Sequence, residues 1–140
     1  MSEEKCIFCL IANGDIPCAK VYEDDTVLAF LDLSPVHPGH TLVIPKKHYK
    51  DMLEVSCDIA PAVFSALKKL GAAVMKATGA TGFNVMQNNG LSAGQTMFHI
   101  HWHIIPRFDG DGLGVWEQGN YSDAEAMQAM AAKVASCLEH

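Results

Sequence analysis

No run of apolar residues in this chain approaches the 20 or so that a membrane-crossing helix takes. The opening MSEEKCIFCL carries neither the basic region nor the long apolar stretch of a secretory signal. Basic residues are scarce: 10 Lys and Arg stand against 16 Asp and Glu, for a formal charge of −6. Clustered cations are what displace counterions from a nucleic acid, so this balance argues against a nucleic-acid partner. An anionic ligand must instead be held by local donors. The cysteines are five, an odd number. With no export signal beside them they do not read as a disulfide framework, and reduced thiols, some of them metal ligands, are expected in a cytoplasmic protein. Internal repeats, low-complexity runs and domain linkers are also absent. Residues 1–140 therefore read as one domain, and the closing Leu138-Glu139-His140 reads as a vector-derived remnant without function.

What is present is a regular alternation of short apolar runs and turn residues. Strands are predicted near Lys20–Glu23, Val27–Leu31, Thr41–Pro45, Gly82–Gln87 and His99–Pro106. A helix is predicted from the spacing of Ile59, Val63, Leu67, Leu70 and Val74, with Ser56 or Asp58 as cap, Pro61 in its first turn and Gly79 past its end. A second helix is predicted from Ser122, where S-D-A-E has capping-box spacing, and its Met127, Met130, Val134 and Leu138 are expected in the core. The first three strands lie too close together for parallel crossovers. The class is α+β, a five-stranded antiparallel sheet with two helices.

The stretch GQTMFHIHWHIIPRF, from 94 to 108, carries the chemistry. On a strand, alternate side chains share a face, so His99, His101 and His103 are expected together and Phe98, Ile100, Trp102 and Ile104 opposite them. Three readings follow. Three buried structural histidines would each need a hydrogen-bond partner and would repel if charged. Alternate histidines can jointly ligate Zn²⁺, as in three-histidine catalytic centres. One imidazole can also be a nucleophile that its neighbours orient. Spacing does not separate the last two. Upstream, Asn88-Asn89-Gly90 and Ala93-Gly94-Gln95-Thr96 form a small-residue loop whose amides and hydroxyl suit a phosphate.

With those residues in view, G-Q-T-M-F-H-I-H-W-H-I-I-P-R resembles the histidine-triad motif, and the chain resembles the nucleoside phosphoramidate hydrolase branch of the histidine triad (HIT) family. Ile16-Pro17, V-Y-E-D-D from Val21, A-F-L-D-L-S-P from Ala29 and G-H-T-L-V-I-P-K-K-H from Gly39 extend the likeness over nearly the whole chain. The resemblance implies catalysis without a catalytic cofactor. His101 would attack the α-phosphorus of a nucleoside 5′-phosphoramidate or aminoacyl adenylate, and water would release the monophosphate from the nucleotidyl-histidine. It further implies that His103 contacts the phosphate, that His40 supports proton handling, and that Thr96, Gly94 and Gln95 line the phosphate loop. Asn88 would meet the ribose-phosphate side and Asp32 the ribose hydroxyls, with Ile7, Phe8, Phe30 and Leu33 as walls of a purine pocket.

Some bacterial members of the family hold a structural zinc, and their ligands map onto Cys6, Cys9, His48 and His99, at a site expected to lie away from the nucleophile. Cys6-x-x-Cys9 alone would also fit redox chemistry or a plain pair of half-buried thiols. The family resemblance implies a homodimer that joins two sheets into one of ten strands, with the histidine strand expected at the sheet's outer side. Trp116 would face the leaving group or the partner. The competing readings are a dinucleoside polyphosphate hydrolase and a zinc-binding, nucleotide-sensing interaction protein.

Overall fold

A computed structural model describes residues 6–139. Strands β1 (Lys20–Glu23), β2 (Val27–Leu31) and β3 (Thr41–Pro45) follow one another through short turns and pair antiparallel, as the connection lengths require. Helix α2 (Ala60–Thr78) then leads to β4 (Gly82–Met86) and β5 (Trp102–Arg107), also an antiparallel pair. Strand β5 inserts beside β3, giving the order β1-β2-β3-β5-β4. The histidine-bearing strand is thus interior, and β4 takes the edge. The reason is length: the segment around α2 is long enough to carry the chain past β3 and leave room for β5 between.

Both faces of the sheet are covered. On one, Val27, Ala29, Val43 and Ile104 meet Val63, Ala66, Leu70 and Val74 of α2. On the other, Leu28, Phe30, Leu42 and Ile44 meet Cys6, Phe8 and Cys9. This double burial explains why β2 and β3 read VLAFL and TLVIP, unbroken apolar runs rather than alternating ones.

Pro61 sits in the first turn of α2 and Gly79 closes the helix with φ of 76°, as expected. Ser56 instead caps the 3₁₀ turn Cys57–Ile59 that precedes α2, accepting from the Asp58 N–H, and the residue that caps α2 itself is Ile59, which makes no side-chain cap bond. Three other expectations change. A short helix, α1 (Ile7–Ala12), lies where no element was predicted, with Cys6 as its cap. Helix α3 (Ala124–Ser136) is capped by Asp123, whose carboxylate accepts from the Ala126 N–H at 2.7 Å, not by Ser122. No residue of α3 is buried, and Met127 and Met130 are each 45% exposed, so the methionine stripe is not core within this chain. An amphipathic pattern specifies that a face wants cover, and says nothing of which surface provides it. Among the described residues, no helix is long and apolar enough to cross a membrane.

The turn into β3 is set by Gly39, with φ of +100° and a position where a Cβ would lie 2.6 Å from Thr78 Cγ2. Left-handed backbone and the nearby methyl both exclude a side chain there, immediately before His40. Gly39→Ala should therefore lower unfolding free energy by about 2–4 kcal/mol. In a double-mutant cycle read by urea denaturation, Thr78→Ser should recover the steric share of that loss and leave the backbone share. Full additivity of the two changes would refute the contact.

Candidate active site

Two turns and one strand assemble the site. Asp32 follows β2, His40 precedes β3, and His103 is the second residue of β5, directly opposite Leu42 in the ladder. The three titratable groups thus come together because β2, β3 and β5 are consecutive in the sheet. His40 Nε2 lies 2.9 Å from His103 Nδ1 and 3.6 Å from Asp32 Oδ2. Asp32 itself is held by the Ser34 N–H at 2.9 Å and, through its own N–H, by the His40 carbonyl at 2.9 Å.

The hydrogen bonds decide which nitrogens carry protons. The Val36 N–H donates to His40 Nδ1 at 3.1 Å, so that nitrogen is bare and Nε2 bears the proton. His40 Nε2 then donates to His103 Nδ1, which leaves His103 with an N–H at Nε2. His101 Nδ1 donates to the main-chain oxygen of His99 at 2.8 Å, which leaves a bare, nucleophilic Nε2. Burial favours these neutral forms. It pushes the pKa of His40 and His101 down, and with neighbouring imidazoles it takes His103 down to about 4.

His101 and His103 open on a cavity of about 410 Å³, of a size for a small ligand. Ile7, Phe8, Phe30, Asp32, Leu33 and Thr96 line it as expected. Phe8 stands edge-on to Phe30 and to His101, with ring centroids 5.6 and 5.2 Å apart. Leu33 is wholly exposed at the rim, whereas Phe30 is 5% exposed and serves the core as well. Sequence reasoning missed Ile11, Cys18 and Met97 in the same wall, residues that carry no chemistry of their own to flag them.

The loop before the triad is built differently from the expectation for Gln95. Its side chain is buried, accepts from the Gly90 N–H at 2.9 Å and donates to the carbonyls of Lys50 and Met97 at 2.7 and 3.2 Å. Every polar atom of that amide is engaged inside the loop, so Gln95 shapes the loop and has nothing left for a ligand. Asn88 packs on the loop: a Cβ added to Gly94 would lie 3.4 Å from Asn88 Nδ2.

His99 also departs from the alternating pattern. Regular strand begins only at Trp102, and His99 lies in the bend before it. Its ring turns to Cys6 and Cys9, with Nδ1 at 3.3 and 3.5 Å from the two sulfurs, while Nε2 donates to the Pro45 carbonyl at 2.8 Å. His48 Nδ1 lies 3.3 Å from Cys9 Sγ, and the four ligand atoms fall within 4.8 Å of one another. In tetrahedral zinc coordination, bond lengths of 2.3 Å to sulfur and 2.0–2.1 Å to nitrogen separate S from N by about 3.5 Å. The cluster fits that ion. The Pro45 carbonyl fixes the His99 tautomer with Nδ1 bare, the support that a ligating histidine ordinarily receives. This fit also removes the three-histidine metal centre, since His99 faces another way and His101 Nδ1 is engaged. Asp32, His40 and His103 form a second close group, but the His40 and His103 nitrogens that face each other share a proton.

A clasp that sequence reasoning missed lies beyond β5. Asp111 takes both Arg107 Nε and Nη2, at 2.8 and 3.1 Å, and lies 3.3 Å from His37 Nε2, tying the Asp32–His40 turn to the segment after β5. Arg107 and Asp111, four residues apart, look like ordinary charges in the sequence, and His37 lies 74 residues from Asp111.

Comparison with known proteins agrees with this geometry. The HIT domain profile matches residues 13–110. Protein hit of Bacillus subtilis is 53% identical over 116 residues, covering 81% of this chain and 80% of that protein. Adenosine 5′-monophosphoramidase hnt1 of Schizosaccharomyces pombe is 42% identical over 135 residues, covering 96% of this chain and 98% of that one. Among solved structures, a HIT family protein of Bacillus anthracis superposes with a TM-score of 0.88 at 44% identity, covering 99% and 100% of the two chains. A Zn-bound histidine triad family protein of Mycobacterium smegmatis does so with a TM-score of 0.76 at 33% identity, covering 98% and 100%. The matched profile contains both histidines at the cavity and the loop that precedes them, and this chain belongs to the HIT domain family.

Proposed function

We propose that this protein is a nucleotide-binding hydrolase that cleaves the P–N bond of nucleoside 5′-phosphoramidates, and the corresponding bond of aminoacyl adenylates, through a nucleotidyl-His101 intermediate. The observation that carries the reading is the His101 hydrogen bond to the His99 carbonyl, which leaves a bare imidazole nitrogen beside a nucleotide-sized cavity. The phosphoramidase name of the fission-yeast relative supports the substrate class.

In the first step His101 Nε2 forms a bond to the α-phosphorus as the bond to the leaving group breaks: an amine departs with a proton relayed from solvent through the Thr96 hydroxyl, and the carboxylate of an aminoacyl adenylate departs without one. His103 Nε2–H donates to a phosphoryl oxygen as charge builds there. In this reading Thr96 donates to the phosphate or leaving group, and the Gly94 loop closes on the oxygens beside Asn88. Water then attacks phosphorus, releases His101 and gives the monophosphate. Asp32 accepts from the ribose hydroxyls. Ile7, Phe8, Phe30 and Leu33 enclose the base. A zinc ion held by Cys6, Cys9, His48 and His99 would be structural, crosslinking α1 to the turn before β5.

The protein works as a homodimer in this reading. Its edge strand β4 leaves Val85 46% exposed, Phe64 of α2 is 68% exposed beside an apolar groove of about 280 Å³, and α3 has no buried residue. Surfaces of this kind suit a second copy. The free thiols at Cys18, Cys57 and Cys137 suit the cytoplasm.

Three outcomes follow. Adenosine 5′-phosphoramidate and lysyl-adenylate should release AMP faster than diadenosine tetraphosphate does. His101→Ala should lose about 10³-fold or more in kcat while AMP affinity stays within about tenfold. Preferred cleavage of the tetraphosphate would reassign the substrate, and AMP binding without turnover in the parent would favour the interaction-protein reading. Because burial lowers the His101 and His103 pKa values, the neutral forms persist below the 6.5 of a free imidazole. The acid limb of kcat/KM should therefore lie below pH 6.5, with the loss still deepening toward pH 4; a limb at 6.5 or above would contradict the buried neutral site. Finally, sedimentation equilibrium should show a dimer that Phe64→Glu weakens at least about tenfold in dissociation constant with its circular dichroism unchanged; a monomeric parent would refute the assembly.

A further inference from the structure

Residue 99 serves two places at once. Its ring nitrogen Nδ1 faces the sulfurs of Cys6 and Cys9, and its main-chain oxygen accepts the His101 Nδ1–H at 2.8 Å. The metal-ligand cluster, expected to lie apart from the nucleophile, is therefore one residue's width from it. No regular ladder secures this stretch, because pairing of β5 with β3 reaches no farther upstream than Trp102 opposite Val43. What holds residues 95–101 is a set of single contacts to the last residue of β3 and the segment after it. Gln95 donates to the Lys50 carbonyl at 2.7 Å, the Ile100 N–H donates to the Tyr49 carbonyl at 2.7 Å, and the His99 ring donates to the Pro45 carbonyl at 2.8 Å.

The same cluster reaches the site by a second route. Helix α1 spans six residues, too few to persist unaided, and its buried residues are Phe8 and Cys9. Phe8, flanked on either side by the cysteine pair, packs edge-on against both His99 and His101, at 5.8 and 5.2 Å between ring centroids. Ile7 and Phe8 also line the cavity. Without a metal, both thiols face His99 Nδ1 and Cys9 Sγ also lies 3.3 Å from His48 Nδ1, so the cluster is held only by weak contacts to sulfur. A metal ion would deprotonate both thiols and bind all four ligands together.

We propose that metal binding at Cys6, Cys9, His48 and His99 positions the nucleotide site: it fixes the His99 carbonyl that sets the His101 tautomer, and it fixes the α1 wall against which the nucleoside packs. His99 and Phe8 are then positioning residues that act through His101 and the cavity. The consequence for turnover rests on the function proposed above, whereas the consequences for AMP binding and for the His101 tautomer do not. Linkage makes the coupling reciprocal: whatever factor zinc adds to AMP affinity, AMP adds to zinc affinity.

The test uses the full chain labelled with ¹⁵N-histidine, prepared zinc-loaded, stripped with chelator and dialysed, and reloaded, with metal content measured in each state. AMP affinity is read by calorimetry and the His101 ring by its long-range ¹H–¹⁵N pattern, assigned by difference with His101→Gln. The loaded chain should show His101 as a single Nδ1–H tautomer. Stripping should mix the tautomers and weaken AMP binding at least about tenfold, and reloading should restore both. Saturating AMP should tighten zinc by the same factor. An unchanged tautomer and AMP affinity in a folded, stripped chain would overturn the proposal, as would failure of the folded chain to take up zinc. Should stripping unfold the chain, His48→Asn, which leaves three ligands, decides. A folded variant with weakened zinc, mixed His101 tautomers and weakened AMP supports positioning, and one with weakened zinc alone refutes it. If the binding and tautomer effects hold and no phosphoramidate is cleaved, the positioning stands and the proposed function falls.

Discussion

A carbonyl oxygen can only accept, and the one on His99 thereby decides which nitrogen of His101 carries a proton. The rest of the site follows from the same kind of restriction. The Val36 N–H can only donate, so His40 Nδ1 is bare, its Nε2 is a donor, and His103 receives on one side and offers an N–H on the other. Two imidazoles two residues apart thus end in opposite states at the cavity, one with a free lone pair and one with a proton. Neither state needs a charge to enforce it. The backbone does so: single contacts to Pro45, Tyr49 and Lys50 hold the His99 stretch beside a sheet whose central strands are buried on both faces.

Much of this was legible beforehand because its signals are local. The five strands, the long helix with Pro61 in its first turn and Gly79 at its end, and the antiparallel order follow from short apolar runs, turn residues and connection lengths. The pairing of His101 with His103 follows from period two. His99 does not obey that period because its ring meets partners about ninety residues earlier, and a contact of such range leaves no mark in the spacing around it. Gln95 sits in a loop whose geometry depends on Lys50 and Gly90, so its buried structural role was equally hidden. The α3 stripe was read correctly as amphipathic and wrongly as internal, since periodicity identifies a face without identifying what covers it.

The charge balance of the site then bears on how an acidic chain holds an anion. Among the described residues no lysine or arginine lines the cavity, and Asp32 adds a negative group at its edge. Permanently charged imidazoles would be costly there. The His101 and His103 rings lie 5.0 Å apart, and two unit charges at that separation repel by about 3 kcal/mol at an effective dielectric of 20. Burial adds to the penalty, and both groups accordingly stay neutral. A phosphate seated between them reverses the sign of the local field: its negative charge lowers the cost of protonating an imidazole and offsets the repulsion between two of them. In the proposed reaction, the positive charge that a developing phosphoryl transition state calls for is therefore created by the arrival of the substrate. An empty site of this construction offers a neutral lone pair and neutral donors, which is the state in which an imidazole is a nucleophile.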